Sequence, residues 1–355
     1  SDTRNTKELK GWNGDVPALF LFHILWHCYL MDLHRRVLRL SDSGQLHEAM
    51  SLLVKAVEEG NGAAAFLLAN WRFEGTRIRR DLAEARRLFH RSHELNFSPS
   101  EAPLMALLAS GAGGLSRDWK GALKLLEMKA EQDFRSMRQL KLISAMALTS
   151  NGEPVKAWPH DVISGDPLIV RFDEFLTGDE CDELIAMARP SFTPSMVVHP
   201  GSGKLVNDKI RTSLATAFPL LKENPFLHAI NRRIASASCS QWEQGEPTQI
   251  LRYDEGQEYK LHSDALRGGN QRIQTFLIYL NDDFGGGETY FPHGEHYLRL
   301  PKGHAICFSN VSSDMRPANS AIHAGLPVTH GQKIVLSKWI RRQALDLSGP
   351  IGMPF

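Results

Sequence analysis

The chain has 355 residues, of which 42% are apolar and 23% charged, with a formal charge of +1. That admits two domains of ordinary globular composition and excludes wholesale disorder. No Lys or Arg run builds a basic face, the densest cluster being "RIRRD" at 77–81, so nucleic acid is not an expected partner. Four cysteines (Cys28, Cys181, Cys239, Cys307) stand far apart without a C-x-x-C, against both a disulfide framework and a zinc knuckle, and a cytoplasmic location is expected.

The first marked feature is "VPALFLFHILWHCYLM" at 16–31. It is shorter than the roughly 20 residues that span a bilayer, holds His23 and His27, and lacks a small-residue cleavage site. Membrane association is therefore expected only if this stretch is a true anchor. Residues 1–30 read as an extension or hydrophobic N-terminal segment, with the natural start near Met31. From 31 to 150 apolar residues recur at helical spacing between turn signals such as "EGNG" and "SGAGG", predicting an α-helical domain. It repeats: Ala49, Leu52 and Glu58 recur as Ala85, Leu88 and Glu94, then as Ala122, Leu125 and Glu131. A small Ala followed at i+3 by Leu suits helical hairpins stacked at close approach. The pattern resembles Sel1-like and tetratricopeptide-like (TPR-like) repeats with degenerate motifs; an arbitrary helical bundle is the alternative.

A Pro- and Gly-bearing linker follows at 151–165. Beyond it lie short strand patterns, "PLIVRF", "TQILRY", "QTFLIYL", "HAICFSN" and "KIVLSKWI", with one early helix in "GDECDELIAMARP". The expected fold class is α+β multidomain, an N-terminal helical repeat domain followed by a β-sandwich or jelly roll with flanking helices.

In "EYKLHSDAL", 258–266, His262 and Asp264 are two positions apart in a strand pattern, so both side chains project from one face. Alone, the pair also fits a solvated strand end. A third donor, His323, is available in "AIHAGLPVTHGQKIVLSKWIRR", followed by Lys333. Two histidines and one carboxylate leave adjacent positions open on iron, as a non-haem Fe(II) oxygenase requires. "FGGGETYFP" is not a phosphate loop, since its glycines precede a strand and no Lys-Ser or Lys-Thr follows.

"EPTQILRYDEGQEYKLHSD", "QRIQTFLIYLNDDFGGGETYFP", "PKGHAICFSN" and "HAGLPVTHGQKIVLSKWIRR" together resemble the catalytic domain of the prolyl 4-hydroxylases, within the 2-oxoglutarate- and Fe(II)-dependent dioxygenases. "DPLIVRFDEFLTGDECDELIAMARP", "GKLVNDKIRTS" and "ENPFLHAINRRI" fall in the family's order, so the resemblance covers 166–345, with a tail at 346–355. It implies a double-stranded β-helix and makes His262, Asp264 and His323 the iron ligands. Lys333 would pair with the far carboxylate of 2-oxoglutarate, helped by the hydroxyls of Tyr253 and Thr289. Tyr259 and Arg272 match positions beside the substrate proline, Arg272 being carried over as a catalytic residue as well, and Arg211 lies in a segment that approaches the peptide. Ala321 departs from relatives with a larger side chain there, which bears on the substrate pocket. His293, His296, His304 and His330 match no ligand position.

The implied reaction uses Fe(II), 2-oxoglutarate and O2 to hydroxylate a C–H bond, most directly of a prolyl residue in a peptide or protein, releasing succinate and CO2, with ascorbate rescuing uncoupled cycles. The helical repeats would hold the polypeptide substrate. Two alternatives stand beside this reading: hydroxylation of a free amino acid or small metabolite, and a peptide-binding adaptor whose barrel is inactive or senses oxygen.

Overall fold

Periodicity resolves into elements much as the two halves of the sequence suggest. The computed structural model describes residues 33–113, 115–195, 197–198, 205–206, 210–266 and 268–345. The 1–30 extension, the apolar run up to Met31 and the 346–355 tail lie outside them, and no helix among the described residues is long and apolar enough to cross a membrane.

The N-terminal part is helical: α1 (33–42), α2 (Leu46–Glu58), α3 (Gly62–Glu74), α4 (Leu82–Glu94), α5 (Glu101–Ser110), α6 (Trp119–Ala130) and α7 (Phe134–Ala145). The side chains of Asn61, Asp81, Asp118 and Asp133 cap α3, α4, α6 and α7 by accepting from backbone N–H groups of the first turn. Left-handed Gly75 and Gly111 end α3 and α5. Ala49, Ala85 and Ala122 are all buried, as close helix approach requires. A larger residue is buried at i+4 of each, Leu53, Phe89 and Leu126; at the expected i+3 position Leu88 is buried, whereas Leu52 and Leu125 are only partly buried. At 3.6 residues per turn i+4 sits about 40° from the alanine and i+3 about 60° on its other side, so both flank the buried face and a small tilt decides how far the i+3 residue is covered.

The C-terminal part is antiparallel sheet: β1 (Asp161–Gly165), β2 (Leu168–Phe172), β3 (Thr193–Pro194), β4 (Val197–Val198), β5 (Leu205–Val206), β6 (Leu214–Phe218), β7 (Thr248–Tyr253), β8 (Tyr259–His262), β9 (Arg272–Tyr279), β10 (Phe284–Gly286), β11 (Thr289–Phe291), β12 (His296–Leu298), β13 (Ala305–Ser309), β14 (His323–Gly325), β15 (Val328–Gly331) and β16 (Lys333–Arg341). Eight strands form one sheet in the order β1-β2-β13-β9-β16-β7-β6-β3, and four form a smaller one, β12-β11-β14-β8. Two helices accompany them, α8 (Gly178–Ala188) and α9 (Pro225–Ala237). β1 falls within the stretch expected as linker, and Glu153 nearby is bound by both Arg117 and Arg232.

One apolar core runs without a break from the helical hairpins through α8 and α9 to the large sheet. A second cluster, including Tyr253, Tyr279, Phe291, Phe308 and Val335, joins side chains of both sheets. The site lies against this second cluster.

Candidate active site

The small sheet brings the two histidines together. β8 and β14 pair antiparallel with His262 opposite His323, and their rings are 4.3 Å apart. Asp264 lies two residues beyond the end of β8, in a loop, so the shared-face strand expected for His262 and Asp264 stops short of the carboxylate. It still reaches the histidines: Oδ1 is 3.6 Å from His262 Nε2 and Oδ2 is 3.7 Å from His323 Nε2.

Each imidazole is oriented from behind. Nδ1 of His262 lies 2.7 Å from the Lys260 carbonyl and Nδ1 of His323 lies 3.0 Å from that of Ala321. A carbonyl only accepts, so Nδ1 carries the proton and Nε2 turns a lone pair inward. Burial, then the neighbouring His323, push the His262 imidazole down to about 3. Burial works against an ionised Asp264, but His323, His262 and the Thr275 hydroxyl hold its carboxyl well below the usual range. Two imidazole lone pairs and a carboxylate thus converge, their ligating atoms all within 4.8 Å of one another. Acceptors facing acceptors are stabilised by a cation, and this donor set fits iron(II).

Lys333, at the start of β16, is the second unusual group. It is buried, donates to the Gly287 carbonyl at 2.6 Å, and lies over the rings of Tyr279 and Tyr253. Among the described residues no carboxylate forms an ion pair with it, and burial lowers its pKa to about 7. A buried cation that faces a cavity and has no ion-pair partner among the described residues suits the distal carboxylate of a keto acid. Thr289 stands nearby, its hydroxyl 2.8 Å from that of Tyr279.

One cavity is lined by His262, Asp264, His323, Lys333, Tyr253, Thr289, Tyr259 and Arg211. Tyr259 stacks on His262 at 3.4 Å between ring centres, and the Arg211 guanidinium lies over the Tyr259 ring. Arg272 is not in the cavity wall. Its guanidinium is bound to Glu246 through two nitrogens at 2.6 and 2.9 Å and lies 3.7 Å over Trp339, which does line the cavity. Thr275, Tyr279 and Asn310 escaped the sequence reading. Thr275, Leu277 and Tyr279 share one face of β9 by its period of two, and polar side chains on that face of a buried strand were the available signal.

The family model described as the 2OG-Fe(II) oxygenase superfamily matches residues 248–341, which hold all three acceptors and Lys333. Prolyl 4-hydroxylase 1 of Arabidopsis thaliana is 36% identical over 204 residues, 52% of this chain and 72% of that protein. The chain belongs to the prolyl 4-hydroxylase family. It is a 2-oxoglutarate-dependent dioxygenase of that type, with Fe(II), 2-oxoglutarate and O2 as cofactor and cosubstrates. Arabidopsis prolyl 4-hydroxylase 5 is 34% identical over 204 residues, 50% of this chain and 70% of that protein. Among solved structures, the viral collagen prolyl hydroxylase of Paramecium Bursaria Chlorella virus-1, in its 2OG complex, matches with 30% identity and a TM-score of 0.39, over 49% of this chain and 95% of that one.

Proposed function

We propose that this enzyme hydroxylates a prolyl residue of a peptide or protein, with His262, Asp264 and His323 holding Fe(II) and Lys333 holding the far carboxylate of 2-oxoglutarate. The observation that carries the reading is the pairing, in one cavity, of three converging acceptors with a buried cation that makes no ion pair among the described residues. Either feature alone has other uses; together they match a divalent metal at one end of a dianionic keto acid and an ammonium at the other.

When bound, iron with 2-oxoglutarate and O2 supplies the C–H oxidation and releases succinate and CO2. The chain's own part is geometric. The carbonyls of Lys260 and Ala321 fix both imidazoles in the ligating tautomer. Tyr253, Phe308 and Val335 keep part of the cavity wall apolar, which strengthens the hold of Lys333 on a carboxylate. Arg211, Tyr259 and Trp339 line the cavity as well, and we assign them to the polypeptide side, with Arg272 supporting Trp339 rather than touching the reacting atoms.

We read the two sheets as the faces of a double-stranded β-helix, supported by the delivery of His262 and His323 from the small sheet and Lys333 from the large one into one cavity. The helical part is read as degenerate Sel1-like hairpins, supported by the recurrence of buried Ala49, Ala85 and Ala122. The testing experiment supplies the purified protein with Fe(II), 2-oxoglutarate and proline-containing peptides beside free proline, and locates added oxygen by mass spectrometry. Oxygen on a peptide prolyl ring is expected. Oxygen on free proline only would move the substrate to the small-molecule class, and succinate formation unaffected by any peptide or amino acid would refute the prolyl assignment.

A further inference from the structure

We infer that Thr275, itself oriented by Asn310, positions the Asp264 carboxylate so that it meets the metal through one oxygen; this rests on the proposed iron site at His262, Asp264 and His323. Asp264 stands beyond the last ladder bond of β8, so strand pairing does not fix its rotamer. Thr275 is placed firmly, in the middle of β9, opposite Phe308 of β13 on one side and Trp339 of β16 on the other. Its hydroxyl donates to Asp264 Oδ2 at 2.6 Å.

A hydroxyl has one proton to give, and the charged Asp264 oxygen at 2.6 Å takes it over the Asn310 Oδ1 at 3.3 Å. Thr275 then accepts from Asn310 Nδ2 at 2.9 Å, which holds the hydroxyl in the donating orientation. Asn310 is fixed by its main chain, its N–H donating to the Ile273 carbonyl at 2.9 Å and its carbonyl accepting from Ala318 N–H at 3.1 Å. All three side chains are buried. The relay Asn310 to Thr275 to Asp264 therefore ties the large sheet to the loop that leaves the small one.

The consequence concerns the second oxygen. Among the described residues Oδ1 receives no protein hydrogen bond, while Oδ2 is engaged. An oxygen that already accepts a short hydrogen bond has one lone pair engaged and less electron density to give, so Asp264 is biased to bind through Oδ1. Single-oxygen ligation leaves adjacent metal positions for a chelating keto acid and O2, and a carboxylate free to swing to two-oxygen binding would occupy one of them. Thr275 and Asn310 are thus positioning residues.

The test is an anaerobic equilibrium titration of the full chain with Fe(II), paired with the ratio of succinate to hydroxylated peptide in turnover. Thr275→Val is expected to weaken Fe(II) binding by about 10- to 100-fold, the usual effect of losing an outer-shell partner, and to raise the succinate ratio. Thr275→Ser, which keeps the hydroxyl, restores most of the affinity. Asn310→Ala weakens binding less and adds nothing to Thr275→Val, because it acts through the same hydroxyl. Parental Fe(II) affinity in Thr275→Val, or full additivity of the pair, overturns the inference. Should Thr275→Val fail to fold, Asn310→Ala decides by itself, and unchanged Fe(II) affinity in it overturns the relay. His262→Ala separates the underlying reading: Fe(II) affinity that survives it refutes the metal site, whereas affinity lost there but kept in Thr275→Val refutes the relay alone.

Discussion

Lys333 is an ammonium placed where burial opposes a charge, which lowers its pKa to about 7. Replacing it by alanine leaves the keto acid's carboxylate buried without a cation, which costs about 3–5 kcal/mol, or at least about a hundredfold in affinity. The KM for 2-oxoglutarate should rise by that factor with the Fe(II) requirement little changed; an unchanged KM would mean that another cation holds the carboxylate. The sign of the pH effect follows from linkage. Between about 7 and the ordinary 10.5 the unfolded chain keeps a proton that folded Lys333 has lost, so this residue adds stability as pH rises through that window. Binding the dianion runs the other way, because it requires the ammonium. Affinity of the iron-loaded enzyme for 2-oxoglutarate, titrated without O2, should fall by up to about tenfold per pH unit above 7, and Lys333→Met should flatten the slope. Asp264→Ala removes the only charged member of the acceptor set and should abolish succinate production; full production by the metal-loaded variant would contradict its role.

Among the elements, α8 shows how a helix is locked against the sheet domain. Thr177 and Glu180 make a reciprocal capping box, and the same Glu180 carboxylate takes two bonds from Arg233 of α9, at 2.7 and 2.8 Å. Both charges are buried. Arg233→Met should lower stability by about 3–5 kcal/mol by stranding the carboxylate, read from the urea midpoint at unchanged slope. Glu180→Gln added to it should recover part of the loss, since glutamine keeps the cap without the charge. The helix itself was legible in "GDECDELIAMARP", because its pattern is local. The acceptors and Lys333 were legible too, as spaced motifs in a recognisable order. What escaped depends on the third dimension: Glu246 is 26 residues from the Arg272 it binds, and Asn310 is 35 from Thr275. Strand periodicity placed Asp264 on the face of His262 but could not show that β8 ends first. Helical periodicity found the buried alanines and buried Leu88, and missed that Leu53, Phe89 and Leu126 at i+4 are buried as well, since i+3 and i+4 both lie near the same face.

At the scale of the whole molecule, the relation between hairpins and sheet is decided by α9. Eleven of its residues, Pro225 to Ala235, are buried, and α5, α6 and α7 all pack against it. Polar groups cross the same boundary: Gln139 of α7 donates to Glu183 of α8 at 2.8 Å and accepts from Asn224 at 3.1 Å, Arg138 pairs with Glu183, and Glu153 binds Arg232. A face so used is cover for the catalytic sheet and is not free to hold a peptide. A chain beginning near Ala157 would expose α9 to water and remove Arg138, the charged partner of Glu183. Losing only about 4 kcal/mol would lower the melting temperature of a domain of this size by roughly 8–16 °C, and exposure of the apolar side of α9 favours aggregation. The truncated chain should therefore melt at least that much lower than the full one, or fail to remain monomeric. If instead the hairpins serve only to hold the substrate, the truncated domain will keep its melting temperature, turn over 2-oxoglutarate, and lose affinity for long peptides alone. A thermal melt measured beside peptide KM on the same preparation distinguishes the two, and an undiminished melting temperature would refute the covering role.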